Sequence, residues 1–475
     1  MKQQYTIATN GTLLSAAHAQ LLKEIILFHF PSLSICIVTS ENSVVPEADF
    51  EVNSAEPATM AALDNPPHVF IQRGDSRNIA LFHKNIAEKI KAGEQLVIAA
   101  GKVQQSILLK QFLQKSLPRF ETNLPTINMV QVDSPPETML QNQQYDGIII
   151  PMYWMNDMLA DKHLQQQAQL LIDERKLMVL PLFECPPVPG QGAIIASTHP
   201  GNSDAITILE SCKNNEVAEV VQTEFEFANH LANTESIGAF YMNTGTTSFT
   251  YAAGSNADSE TFSKWDFAIE PGLENEAMFS STDFMKDFFS YRYMDNATDD
   301  WSTTAVFISS HKAIHSNELV DKTAQKRVWA AGTRTWYELA KKGIWVEGCA
   351  DGLGMESLHE VWQSPLIHLG KKDFLIITNE ASTHHWQADG WNTATTYELV
   401  PEPSATIQDA ICKADLIFWT SFQQYEMYKD FVKQAARHLC PAGKTAKLLQ
   451  EAGFNPVIFP TIKAFIDWRN KMCNK

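Results

Sequence analysis

Short apolar runs alternate with helical patterns along nearly the whole chain. Residues 5–9 form one run, residues 13–30 carry apolar side chains at helical spacing, and residues 33–38 form a second run. Strand-like runs follow at 96–99, 147–151 and 177–181, each flanked by a helical stretch such as 103–113 or 165–173. Apolar runs of about four to eight residues suit strands covered on both faces, and the helical stretches between them suit the covering layers. The pattern predicts α/β domains. Between 234 and 301 it loosens into Gly, Ser, Asn and Asp, with alternation at 249–252 and 265–269, which predicts a small α+β unit and then a connection. Strands return at 305–308, 328–331, 374–378, 416–420 and 456–459, each beside a helix, and no short-period repeat is detected.

Composition divides the picture. A chain of 475 residues with 44% hydrophobic and 19% charged residues has room for about two to four globular domains and is not disordered or of low complexity. Its net charge of −18 would repel nucleic acid and anionic lipid, so neither is expected as a partner. The charge is uneven: residues 301–475 hold 19 basic and 18 acidic side chains, which leaves net −19 on residues 1–300. Two parts with different jobs follow from that division. The start, MKQQYTIATNG, shows no basic segment followed by an apolar run, and no apolar stretch is long enough to span a membrane, so a cytoplasmic protein is expected. Seven cysteines (36, 185, 212, 349, 412, 440 and 473) are scattered and never spaced CxxC, which predicts reduced, mostly buried thiols rather than a disulfide framework or a zinc site.

Four C-terminal segments share one plan, a short apolar strand ending in Ser, Thr or Gly that opens a helix: VFISSHKAIHS, VWAAGTRTWYELAKKG, IFWTSFQQYEMYKDF and LCPAGKTAKLLQEAG. Each alone is ordinary helix capping. Together they place several helix N-termini at the carboxyl ends of strands, which points to a crevice for a polyanion.

Residues 301–475 resemble the uroporphyrinogen-III synthase family, whose two flavodoxin-like lobes carry a strand ending Thr/Ser-Ser-x-x-Ala, a Gly-x-x-Thr-Ala helix start and a Val-Tyr-x-Thr-like segment between lobes. The matching residues are Ile308, Ser309, Ser310 and Ala313; Ala331, Gly332, Thr333, Arg334 and Thr335; ATTYELVP at 394–401; residues 418–421; and Gly443, Lys444, Thr445 and Ala446. The resemblance implies dehydrating cyclisation of hydroxymethylbilane with inversion of the last pyrrole ring, and no metal or organic cofactor. It makes Tyr397 the residue that assists departure of the hydroxyl, with a tyrosine packed between lobes as the even alternative. Candidates to bind acetate and propionate groups are Ser309, Ser310, Thr333, Thr335, Thr420, Ser421, Lys444 and Thr445, and Lys312 and Arg334 add charge at the same helix starts. The family's opening strand and helix are not apparent before Thr304, so one lobe is either trimmed or completed by residues near 255–300. Three other features are set aside. AGKT lacks the glycine a phosphate loop needs at His438; His311 and His315 read as a solvent-facing helix pair; and His384 and His385 read as loop residues.

The N-terminal part resembles porphobilinogen deaminase (hydroxymethylbilane synthase). YTIATNGTLLSAAHAQLL matches its first strand and helix, RGDSRNIALF and QYDGIIIPMYW match later strands, and PPVPGQGAI is the most specific match. The resemblance implies two periplasmic-binding-protein-like lobes and a small third domain, yet the chemistry is nearly all replaced. Asn10, Gln104 and Gln105 stand where the family has arginines, two further arginines align near Asp133 and Met139, and the general-acid aspartate is missing from 50–70. No cysteine for the dipyrromethane cofactor lies in 231–238, and Cys212 falls too early. An amide cannot pair with a carboxylate as a guanidinium does. A polypyrrole with carboxylates on every ring would be repelled by a net −19 part without its arginine lining, so the deaminase reaction is expected to be absent.

The expected architecture is α/β: degenerate deaminase-like lobes over 1–233, a small α+β domain and linker over 234–300, and a uroporphyrinogen-III synthase-like domain over 301–475. The expected function is a synthase of tetrapyrrole biosynthesis acting on hydroxymethylbilane, with an authentic porphobilinogen deaminase as a partner docking on the N-terminal part. The alternatives are a non-catalytic tetrapyrrole-binding or regulatory protein and, behind it, a bifunctional deaminase–synthase.

Overall fold

Two five-stranded sheets with one strand order build the N-terminal half. The first contains β1 (Gln4–Thr9), β2 (Ser34–Thr39), β3 (Phe50–Ser54), β4 (His68–Arg73) and β10 (Ala193–Ser197) in the order β2-β1-β3-β10-β4. The second contains β5 (Asn78–His83), β6 (Leu96–Ala100), β7 (Ile127–Gln131), β8 (Gly147–Pro151) and β9 (Arg175–Val179) in the order β7-β6-β8-β5-β9. In each, one strand runs against its neighbours: β10 in the first sheet and β5 in the second. The chain crosses between lobes twice, from β4 to β5 and from β9 back to β10, which is the two-lobed arrangement of periplasmic-binding-protein-like folds. The computed structural model describes residues 2–9, 11–39, 48–55, 67–101, 106–120, 124–132, 134–231, 234–256, 258–273, 276–285, 287–294 and 300–473. Asn10, Gln104, Gln105, Asp133 and parts of the 50–70 and 231–238 stretches lie outside the described residues.

The crossing explains the PGQGA motif. Gly192 has φ +84, and a Cβ there would lie 2.7 Å from the Gly74 carbonyl oxygen on the other crossing segment, so only glycine fits. Gln191 donates its amide to the Ser76 carbonyl at 2.6 Å and to Asn78 Oδ1 at 2.9 Å. The motif joins the lobes and needs no catalytic role.

A three-stranded antiparallel sheet follows: β11 (Thr234–Asn243), β12 (Ser248–Asn256) and β13 (Thr261–Phe267). The next strands, β14 (Met278–Ser280) and β15 (Phe289–Tyr293), belong to sheets built by the C-terminal part. β14 heads a parallel sheet with β21 (Leu416–Phe418), β22 (Arg437–Pro441) and β23 (Val457–Phe459) in the order β14-β21-β22-β23. The remaining sheet contains β16 (Ala305–Ile308), β17 (Arg327–Ala330), β18 (Gly348–Cys349), β19 (Phe374–Asn379) and β20 (Asn392–Pro401) in the order β15-β20-β19-β16-β17-β18, parallel except at the edge strand β15. The 234–300 segment is therefore not one domain and a linker: as the second alternative for the opening strand has it, strands at 278–280 and 289–293 add to the C-terminal sheets, and a 3-10 turn, Ser281–Phe284, follows the first of them.

Two local expectations are corrected. His384 and His385 lie within the helix Glu380–Ala388, capped by Asn379, whose side chain accepts from Ser382 N at 3.0 Å. His311 opens a three-residue 3-10 turn, and His315 lies beyond it, so they do not form a helical pair.

The halves share hydrophobic cores. Trp336 packs edge-on against Phe112 at 5.2 Å and donates its indole N–H to the Ser116 carbonyl at 3.1 Å. Trp345 meets Phe82 at 5.5 Å and donates to the Leu177 carbonyl, while Val179 N donates to the Glu347 carbonyl at 2.6 Å. Beside this seam Asp351, φ 55, accepts from Leu182 N at 3.2 Å. Burial pushes its carboxyl up to about 7 against the pull of Arg77.

Candidate functional site

The strand order of the six-stranded sheet reverses between β16 and β19: the chain moves outward from β16 to β17 and β18, then returns to the other side for β19 and β20. The carboxyl ends of the strands flanking such a reversal leave a crevice, because the connections depart in opposite directions. Ser309 and Ser310 follow β16 at this point, Asn379 ends β19, and Tyr397 stands on β20. Ser309 Oγ donates to the Ile377 carbonyl at 3.1 Å, and Ser310 Oγ accepts from Lys312 N at 3.3 Å. Tyr397 is only 3% exposed. Burial raises its phenol above the usual range, with hydrogen bonds from Asn379 and Ser310 pulling the other way, so the group holds its proton near neutral pH.

Cations gather at the same end. His311 is kept below the ordinary imidazole range by burial and by Lys312, Arg334 and Lys342, with Glu338 opposing them. Glu338 is itself paired with Lys341 at 2.6 Å. Thr333 is the first residue of the helix Thr333–Ala340, which Gly332 caps without a side-chain bond, and Thr335 is buried on its inner side.

The other candidates form a second group on the four-stranded sheet. Thr420 Oγ1 donates to Gln424 Oε1 at 2.8 Å, Thr420 N donates to Ser281 Oγ at 2.9 Å, Ser421 forms a capping box with Gln424, and Thr445 Oγ1 donates to the Thr420 carbonyl at 3.5 Å. Their hydroxyls serve the local scaffold. Lys444 turns toward the larger sheet: its ammonium lies 5.2 Å over the Trp386 ring, and burial lowers its pKa while Asp389 and Glu356 raise it. Gly443, φ +91, brings the turn before it against the Leu353 carbonyl, where a Cβ would lie 3.0 Å away. The two sheets therefore touch at the turn after β22, where Gly443 meets Leu353 and Lys444 meets Trp386. Asn379 was missed by sequence reasoning, although an Asn before a Ser- and Thr-rich helix start is a capping signal.

The N-terminal lobes enclose a cavity of about 620 Å³ at the carboxyl ends of β1, β3, β6 and β8, lined by Thr12, Ser54, Tyr153, Trp154 and Gln191 among others. No arginine is among its described lining residues. Arg73 pairs with buried Glu224 at 3.0 Å, Arg77 pairs with Asp75 at 2.7 Å, and Arg175 donates to the Leu140 carbonyl at 2.7 Å. Cys212 is buried in the first lobe, where burial lifts its thiol to about 11. Two smaller cavities, of about 410 and 340 Å³, lie beside Trp391 toward the amino ends of the strands of the larger C-terminal sheet and are not lined by Tyr397. Among the described residues, no group of three or more His, Cys, Asp or Glu is placed to hold a metal ion, and no helix is long and apolar enough to cross a membrane.

Fold and site define a mixed α/β protein with periplasmic-binding-protein-like lobes, joined to two further, mainly parallel sheets with a tyrosine at a strand-order reversal. No family model matches the chain, and no curated relative matches it. Similar solved structures include the methionine binding protein MetQ, 12% identical over 46% of this chain and 93% of that one, TM-score 0.29. A YaeC-family pheromone cOB1 precursor/lipoprotein from Enterococcus faecalis V583 is 14% identical over 46% and 94%, TM-score 0.29. The OxyR2 regulatory domain from Vibrio vulnificus is 15% identical over 46% and 95%, TM-score 0.26.

Proposed function

We propose that the C-terminal part is a uroporphyrinogen-III synthase, converting hydroxymethylbilane to uroporphyrinogen III and water. The observation that carries this reading is Tyr397: a buried, protonated phenol beside Ser310 and Asn379 at the strand-order reversal, with Lys312 over the neighbouring Tyr291 ring. Protonation of the departing hydroxyl lets the C–O bond break and water leave, and the electron-rich pyrrole system stabilises the resulting cation. The substituted carbon of the last ring attacks to form a spiro centre. The bond from that centre to the original bridge carbon then breaks and re-forms at the ring's free α-carbon on the other side of the nitrogen, and loss of the proton from that carbon restores aromaticity. Protons balance, no electrons are exchanged, and neither metal nor organic cofactor is required. The cations hold the carboxylates while the chain folds on itself.

On this reading the N-terminal lobes carry no deaminase activity, because the arginines at Arg73, Arg77 and Arg175 serve the scaffold. Their proposed role is to dock an authentic deaminase and shorten the path of an unstable bilane, a role supported only by the fusion itself; a titration with no measurable affinity removes it. The synthase reading is tested by supplying authentic deaminase and porphobilinogen, oxidising the products and separating the isomers. Isomer III supports the reading, and isomer I alone overturns it.

A further inference from the structure

β15 presents Tyr291 and Tyr293 on one face, while Arg292 on the other pairs with Glu398 at 2.9 Å. Both tyrosines are well exposed, at 41% and 45%. Tyr293 lies opposite Tyr397 in the β15–β20 register, and the Tyr291 ring centre stands 6.0 Å from that of Tyr397. The Lys312 ammonium lies 4.8 Å over the Tyr291 ring, and His315 stacks on Tyr293 at 4.5 Å and 27°. Tyrosine suits an edge strand, and a cross-strand pair accounts for one such ring. It does not account for two exposed rings in succession, each bearing a cationic or imidazole group and continuous with a buried phenol. A pair of exposed rings with an ammonium over one of them complements flat rings whose substituents end in carboxylates.

We propose that Tyr291 and Tyr293 form a stacking platform for the pyrrole rings of a polycarboxylated ligand, with Lys312 taking a ring carboxylate. This rests on the synthase reading, in which the ligand is the bilane, and it names the residues that present its rings to Tyr397. The Lys312 ammonium lies over the Tyr291 face, so a pyrrole stacked there displaces it toward the ring edge, where an acetate or propionate arm meets it.

The test is a fluorescence titration of the full chain with uroporphyrin III, the planar oxidised product. The unsubstituted chain should bind saturably, Tyr291→Leu with Tyr293→Leu should weaken binding about tenfold, and the paired Phe substitutions should stay within about twofold, since the rings and not the hydroxyls stack. If the double leucine variant melts below the unsubstituted chain, Tyr293→Ser alone should still weaken binding by roughly threefold or more. Failure of the unsubstituted chain to bind uroporphyrin, or equal affinity in the leucine variant, overturns the platform. Isomer formation is scored separately. Ring-dependent binding without isomer III leaves the platform and removes the synthase reading, whereas isomer III made at an unchanged rate by the leucine variant removes the platform and leaves the reading.

Discussion

In the N-terminal lobes Arg73 reaches Glu224, Arg77 reaches Asp75 and Arg175 reaches the Leu140 carbonyl, all within the scaffold, around a cavity lined by Tyr153, Trp154 and small polar groups. In the C-terminal sheet Lys312, Arg334 and Lys342 surround His311 at a strand-order reversal, and Lys312 reaches over the exposed Tyr291 ring. Both places lie at carboxyl ends of strands, so topology alone offers each of them to a ligand. What separates them is that the three N-terminal arginines are held by the scaffold, as Lys342 is by the Ile314 carbonyl, whereas Lys312 lies over an exposed aromatic ring. Fold is therefore a weak guide to chemistry in this chain, and the placement of charge is a better one.

The largest effects should come from breaking the scaffold use of charge and the shared core. Glu224→Gln leaves the mostly buried Arg73 guanidinium without its counter-charge and should cost about 3–5 kcal/mol of stability, read by denaturant unfolding. A cost near zero would mean that Arg73 is not committed to the scaffold. Trp336→Ala removes a fully buried ring from the seam and should cost about 3–5 kcal/mol. Because that seam joins both halves, calorimetry should show the main transition of the unsubstituted chain split in the variant; separate transitions already in the unsubstituted chain would contradict the shared core.

Smaller effects sharpen the comparison. Tyr397→Phe should slow isomer III formation about a hundredfold while shifting the melting temperature little, and full activity would make the tyrosine structural. Asp351→Asn tests the seam by pH. The Asp351 carboxyl is raised to about 7 when folded, from an ordinary value near 3.8, so the folded state binds its proton more tightly. Its contribution is present at acid pH and is lost as pH rises through about 7. The asparagine variant should equal the unsubstituted chain near pH 4 and exceed it by about 2 kcal/mol at pH 8, allowing for relaxation around the charge. A variant that loses stability most at pH 8 would mean that Asp351 is held ionised by Arg77.

Much of the fold was legible because parallel strands covered on both faces are written as continuous apolar runs, such as those at 147–151, 305–308 and 374–378. The four strand-to-turn-to-helix segments were legible from Ser, Thr and Gly at the strand ends, although the first opens only a 3-10 turn. β14 and β15 were not. They are three and five residues long, lie in a polar stretch, and pair with strands more than a hundred residues away, so no local signal announces them. With β15 hidden, Tyr291 and Tyr293 could not be connected with Tyr397. Ser310 and Tyr397 were found through motif resemblance, and Asn379 was missed because the helix that it caps was read as a loop at His384 and His385.

The proposed division is that one end of the chain acts on a tetrapyrrole precursor and the other does not carry the related deaminase activity. It is tested most directly by incubating the full chain with porphobilinogen in two arms, with and without authentic deaminase, and resolving the oxidised uroporphyrin isomers. Isomer III with deaminase and no uroporphyrin without it is the predicted result. Isomer I alone in the first arm, or any uroporphyrin in the second, would contradict it.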